Sequence, residues 1–147
     1  MMKKTIRILV AEPIPDIQDL YRIILDPVAD VIEFARDIPE ALTMVEKCSY
    51  DVVFLDVGVP DLDGLEGAEI LNEIHPELPV VVTSSIKLPV RLAAFLMAHP
   101  KNYLVQKPFD IREMRELVRL ACCSEASPED LVLSMRSREI DSFLKAI

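Results

Sequence analysis

Five short apolar runs punctuate the chain: Ile6 to Ala11, Val31 to Ala35, Val52 to Val57, Val80 to Val82 and Tyr103 to Val105. They are mostly β-branched and lack polar alternation, the pattern of strands covered on both faces rather than strands with one wet face. Between them, apolar residues return with the spacing of helices that bury one side: Ile17, Leu20, Tyr21 and Ile24; Ala41, Leu42 and Val45; Leu65, Ala68 and Leu71; Leu92, Phe95 and Leu96; Ile111, Met114, Leu117 and Val118. Strand and helix therefore alternate five times.

Such alternation predicts a parallel sheet between two layers of helices, because strand twist favours right-handed crossovers. The expected architecture is an α/β, flavodoxin-like (βα)5 three-layer sandwich with sheet order 2-1-3-4-5. Local chemistry fits it. Pro15 suits a first helical turn, Asp63 can cap the third helix, and Asp51 and Asp110 punctuate element starts. The alternating charges from Arg112 to Arg119 read as the solvated face of the fifth helix. Further on, Ser127, Pro128, Glu129 and Asp130 spell an extra C-terminal helix, on which Val132, Leu133, Ile140, Phe143, Leu144 and Ile147 form one apolar stripe broken by Arg136. The expected organisation is a main domain over 1–123 and a C-terminal helical extension over 124–147. The stripe is expected to pack back on the domain or to meet a second copy of the chain or another protein.

A length of 147 residues is enough for one core. The net charge of −9, with no basic stripe, argues against direct nucleic-acid binding. Cys48, Cys122 and Cys123 show no disulfide-rich or metal-binding spacing and read as reduced thiols, while His75 and His99 lie far apart beside prolines. Lys3 and Lys4 are followed by strand-like residues, and no window approaches about 18 uninterrupted apolar residues, so neither a leader nor a membrane span is expected. The expected location is cytoplasmic.

In open parallel sheets the working site lies beyond the carboxyl ends of the strands. Glu12, Asp56, Ser84 and Lys107 end the first, third, fourth and fifth runs. Two acids, a hydroxyl and a lysine brought together from separated segments match what phosphoryl transfer needs: a cation site, a carboxylate nucleophile, a hydrogen-bond donor and a fixed positive charge.

These residues sit in segments that resemble the receiver domain of two-component response regulators, over roughly Thr5 to Arg119. The matching segments are Ile8-Leu9-Val10-Ala11-Glu12 with Pro15-Asp16; Tyr50-Asp51-Val52-Val53-Phe54-Leu55-Asp56; Pro60-Asp61-Leu62-Asp63-Gly64-Leu65; and Lys107-Pro108-Phe109. The resemblance implies that Asp56 accepts a phosphoryl group from a histidine kinase, a phosphotransfer protein or a small phosphodonor. Mg²⁺ would be held by Glu12, Asp56 and the Gly58 carbonyl. Ser84 and Lys107 would contact the phosphoryl oxygens, and the face around the fourth and fifth helices would pass the change to a downstream protein target. It implies a signalling domain rather than an enzyme, catalysing at most its own phosphorylation and dephosphorylation.

The chain departs from the family pattern in places. Pro13 stands where receivers usually carry a second acid, Leu104 where an aromatic switch is frequent, with Tyr103 one place off, and His99-Pro100-Lys101-Asn102 replaces a small Gly-Ala turn. Gly58 and Ile86, at positions that influence hydrolysis in the family, cannot orient a water, which predicts a long-lived phosphorylated form. Pro13 keeps an alternative open, a pseudo-receiver that signals by binding alone. A flavodoxin or a haloacid-dehalogenase-type phosphatase is disfavoured, because Glu12-Pro13-Ile14-Pro15 is no phosphate loop and Gly58 is no second acid.

Overall fold

The computed structural model describes residues 4–57, 64–85 and 89–122. Asp61, Asp63, Gly58, Ile86 and the stripe from Val132 to Ile147 lie outside the described residues, as does the boundary expected at residue 123.

Strand and helix alternate along the chain as β1 (Arg7–Ala11), α1 (Pro15–Leu25), β2 (Val31–Ala35), α2 (Ile38–Lys47), β3 (Val52–Asp56), α3 (Gly64–Ile74), β4 (Val80–Ser84), α4 (Pro89–Ala98), β5 (Asn102–Gln106) and α5 (Ile111–Cys122). All strand pairings are parallel and the sheet order is β2-β1-β3-β4-β5. Alternate strand residues divide the core. Leu9, Val53, Leu55, Val80, Val82 and Leu104 pack under α2, α3 and α4, whereas Ile8, Val10, Val52, Phe54, Val81 and Val105 pack under α1 and α5.

The three inner strands are buried throughout or nearly so, but β2 is only half-buried along most of its length. As an edge strand it has one neighbour, and its Glu33 reaches the Arg7 guanidinium at 2.7 Å rather than entering a core. Two of the expected stripe residues also face outward: Leu20 on α1 and Ile111 on α5 are exposed, at the margins of stripes whose centres, Tyr21, Ile24, Met114, Leu117 and Val118, are buried.

Helix starts follow local chemistry. The Asp37 carboxylate accepts the Glu40 N–H at 2.8 Å, while Glu40 in turn accepts the Arg36 N–H at 3.0 Å, so two backbone donors near the start of α2 are satisfied reciprocally. Asp110 caps α5 through the Glu113 N–H at 2.9 Å. Asp51 accepts the Arg7 N–H at 2.8 Å and so pins the start of β1 to the segment before β3. The charged face of α5 is more than a solvated surface. Arg115 Nε donates to the Ile24 carbonyl at 2.7 Å, satisfying an acceptor in the last turn of α1.

A polar clamp joins three elements on the other side of the sheet. Asn102 is fully buried and exchanges amide hydrogen bonds with Asn72 of α3, both at 2.9 Å, and its Nδ2 also donates to the Phe95 carbonyl of α4 at 2.9 Å.

Candidate functional site

The carboxyl ends of β1, β3, β4 and β5 meet at one edge because parallel strands all point the same way. Asp56, the last residue of β3, forms an ion pair with Lys107, which follows β5; the Lys107 Nζ bonds Asp56 Oδ2 directly. The two side chains are only 14% and 23% exposed, so this pair is shielded enough to hold a geometry that a surface pair would not. The Lys107 N–H also donates to the Ser84 carbonyl at 2.8 Å, which fixes the lysine's backbone against β4, and the peptide from Lys107 to Pro108 is cis.

Glu12 follows β1 and is almost wholly buried. Its backbone N–H continues the ladder to the Ala35 carbonyl at 2.9 Å, and its carboxylate accepts the Ile14 N–H at 3.3 Å. Burial pushes this carboxyl above the usual range and the Asp56 charge adds to the effect, while the Ile14 N–H and Lys107 act the other way. Glu12 and Asp56 thus make an acidic pair partly offset by one lysine. Among the described residues no group of three His, Cys, Asp or Glu side chains forms a metal cluster. Two carboxylates beside each other supply the hard oxygen donors that a cation such as Mg²⁺ takes. Pro13, next in the chain, is exposed and contributes no donor.

Ser84 is buried, one position nearer the rim than the register partner of Asp56, and strand alternation turns its side chain to the α3 and α4 side. Thr83 is that partner, so its side chain shares the face of Asp56. The chain pattern did not single it out, although a polar residue ending a run of valines was a usable signal. Tyr21 was placed only in a core stripe. Its ring packs edge-on to Phe54, with centroids 5.7 Å apart, and against Phe109 at 5.1 Å, and its hydroxyl faces Thr83 within the field of Asp56 and Glu12. Leu104 is buried beneath α4, and Tyr103 packs on the opposite side of the sheet, as strand alternation predicts.

Gly64, at the start of α3, completes the site's support. A Cβ there would stand 2.5 Å from the Asp56 carbonyl oxygen and 2.8 Å from its carbon, so only glycine lets the helix come this close to the Asp56 backbone.

The response regulator receiver domain profile matches residues 8–119. Response regulator MprA of Mycobacterium bovis is 32% identical over 143 residues, an alignment that takes in 97% of this chain and 61% of that protein. Response regulator protein PilR of Pseudomonas aeruginosa is 31% identical over 114 residues, covering 77% of this chain and 25% of PilR. The chain therefore spans about three fifths of the length of the MprA regulators that it matches. Among solved structures, the response regulator TrrA of Thermotoga maritima in complex with Mg²⁺-BeF superposes with a TM-score of 0.69 at 26% identity, over 80% of this chain and 99% of that one. The signal receiver domain of an HD domain-containing protein from Pseudomonas fluorescens gives a TM-score of 0.73 at 21% identity, over 94% and 96%. No described helix is long and apolar enough to cross a membrane. Strand order, an acid at the end of the third strand facing a lysine beyond the fifth, and a family profile covering three quarters of the sequence converge on one assignment: the chain belongs to the receiver domains of two-component response regulators.

Proposed function

We propose that the chain is a working phosphoacceptor and that Asp56 is the residue modified. The observation that carries this reading is the shielded ion pair between Asp56 and Lys107 at the carboxyl edge of the sheet. One Asp56 carboxylate oxygen attacks the phosphorus of a phosphohistidine on a histidine kinase or phosphotransfer protein. The new O–P bond forms as the P–N bond breaks, and the electron pair leaves on the imidazole nitrogen, which takes up a proton. Lys107 holds the carboxylate beforehand and is placed to offset charge on the transferring oxygens. Ser84 supplies a hydroxyl from the neighbouring strand.

Glu12 and Asp56 would hold Mg²⁺ together with the Gly58 carbonyl, which lies outside the described residues. The bound cation would offset negative charge shared by the carboxylates and the phosphoryl oxygens. With Pro13 in place of a second acid, Glu12 has to carry the part of that role that its extra methylene lets it reach. The output would be contact with a downstream protein in the cytoplasm, with the main domain ending near residue 123 and the segment 124–147 serving as a helical extension that packs on it or joins a second copy.

A second reading rests on Pro13: a pseudo-receiver that signals by binding without an acyl phosphate. Acetyl phosphate or phosphoramidate with and without Mg²⁺, followed by intact mass, separates the two. A magnesium-dependent gain of one phosphoryl group that vanishes in Asp56→Asn supports the phosphoacceptor; no adduct on folded protein supports the pseudo-receiver.

A further inference from the structure

We propose that Tyr21 and Thr83 are positioning residues for the phosphoacceptor, a buried hydroxyl pair that gives Asp56 an uncharged hydrogen-bond donor when Lys107 turns to the incoming phosphoryl group. This inference rests on the reading of Asp56 as the modified residue.

Register supplies the first argument. Thr83 and Asp56 are direct partners on adjacent parallel strands, so both side chains leave the same face of the sheet, a few ångströms apart. Satisfaction supplies the second. Thr83 is fully buried and its Oγ1 makes no well-formed hydrogen bond, even though the Tyr21 hydroxyl faces it. A buried hydroxyl left in this condition costs stability, and valine, of nearly the same shape, would avoid that cost. An unsatisfied polar group beside a site commonly has a role in another state of that site.

Anchoring supplies the third. The Tyr21 ring is held between Phe54, two residues before Asp56, and Phe109, two residues after Lys107, so its hydroxyl has little freedom to leave. The Tyr21 phenol carries its proton at neutral pH as any tyrosine does, so it can both donate and accept, and burial pushes its pKa further up. In the phosphorylated state Thr83, whose Oγ1 is left unsatisfied in this structure, turns to donate to Asp56, with the Tyr21 hydroxyl behind it. When phosphorylation turns one carboxylate oxygen into an ester-like oxygen, the remaining carbonyl oxygen keeps a partner from this pair while Lys107 serves the phosphoryl group.

The test uses the full chain, acetyl phosphate and Mg²⁺, with adduct formation followed by intact mass in wild type, Thr83→Val, Thr83→Ser and Tyr21→Phe. The expected result is a rate reduced roughly three- to tenfold in Thr83→Val, the size of effect one ordinary hydrogen bond carries. Thr83→Ser should restore it, and melting temperatures should not fall. In 3-fluorotyrosine-labelled protein the ¹⁹F resonance of Tyr21, assigned by its loss in Tyr21→Phe, should shift on Thr83→Val and on Asp56→Asn. Wild-type rates in both Thr83→Val and Tyr21→Phe would overturn the pair while leaving Asp56 as acceptor. An unmodified wild-type chain would overturn both readings.

Discussion

Gly64 lies against the backbone of Asp56: a Cβ added to it would lie 2.5 Å from the Asp56 carbonyl oxygen. Neither a strand end nor a helix start can retreat as a flexible side chain would. Gly64→Ala is therefore expected to cost about 1–3 kcal/mol of unfolding free energy, the usual range for overpacking. It should also slow phosphorylation of Asp56. Gly67 is the control. Its added methyl would meet Ile38 Cγ2 at 2.5 Å, a side-chain contact next to Cβ that this branched residue can relieve only by shifting about χ1, whereas the contact at Gly64 is with backbone. Urea denaturation of Gly64→Ala and Gly67→Ala should show the first more damaged; equal losses would mean that the Asp56 backbone yields.

The pair between Lys107 and Asp56 predicts a non-additive cycle. Removing the cation in Lys107→Met leaves the Asp56 and Glu12 charges facing each other in a shielded site. The expected loss is about 2 kcal/mol, between that of exposed and fully buried pairs. Asp56→Asn in that background should recover part of it, which chemical denaturation of the four proteins would measure. Strict additivity would show that the contact contributes nothing in solution.

Glu12 predicts a pH dependence. Its folded pKa is raised, chiefly by burial, so the folded state holds the proton more tightly than the unfolded chain does. The stability that this gives is present in full below the unfolded value, about 4.3 for an ordinary glutamate, and is lost as pH rises through the higher folded value. Without Mg²⁺, Glu12→Gln should therefore gain on wild type as pH rises from about 4 to about 7.5 in urea titrations, and lie above it at neutral pH. Added Mg²⁺ should narrow the gap by stabilising wild type alone. Parallel curves would sink the argument.

Asn102→Ala would strand the Asn72 amide and the Phe95 carbonyl, both partners of one buried side chain. The expected cost is about 2–4 kcal/mol, from two lost partners and a small cavity. Hydrogen exchange should rise first at the end of α4. Exchange unchanged there would show that apolar packing alone holds that helix.

The sheet was legible because parallel strands buried on both faces leave valine- and isoleucine-rich runs, and the runs at β1, β3 and β4 mark their strands to within two residues. The half-buried β2 was harder to judge, since an edge strand and an inner strand can share composition. Glu12, Asp56, Ser84 and Lys107 were legible as run ends. Thr83 was not, because its place beside Asp56 is set by the register between two strands, and register is a property of pairing that no single run displays. Gly64 stood out only as part of the segment from Pro60 to Leu65, whereas the contact that requires it comes from a strand residue eight positions earlier.

The Asn102 clamp also sets how α4 can move. It grips the helix at Phe95, so a ten-residue rod roughly 15 Å long has its fulcrum about 9 Å from the amino end and about 4.5 Å from the carboxyl end. A tilt of about 10° about that fulcrum carries the amino end through about 1.6 Å and the carboxyl end through about half as much. Val90 rides on the amino end and Met97 sits beside the fulcrum, both exposed. A partner gripping Val90 would feel most of the lever's throw, while one gripping Met97, two residues from the fulcrum, would feel less than half as much.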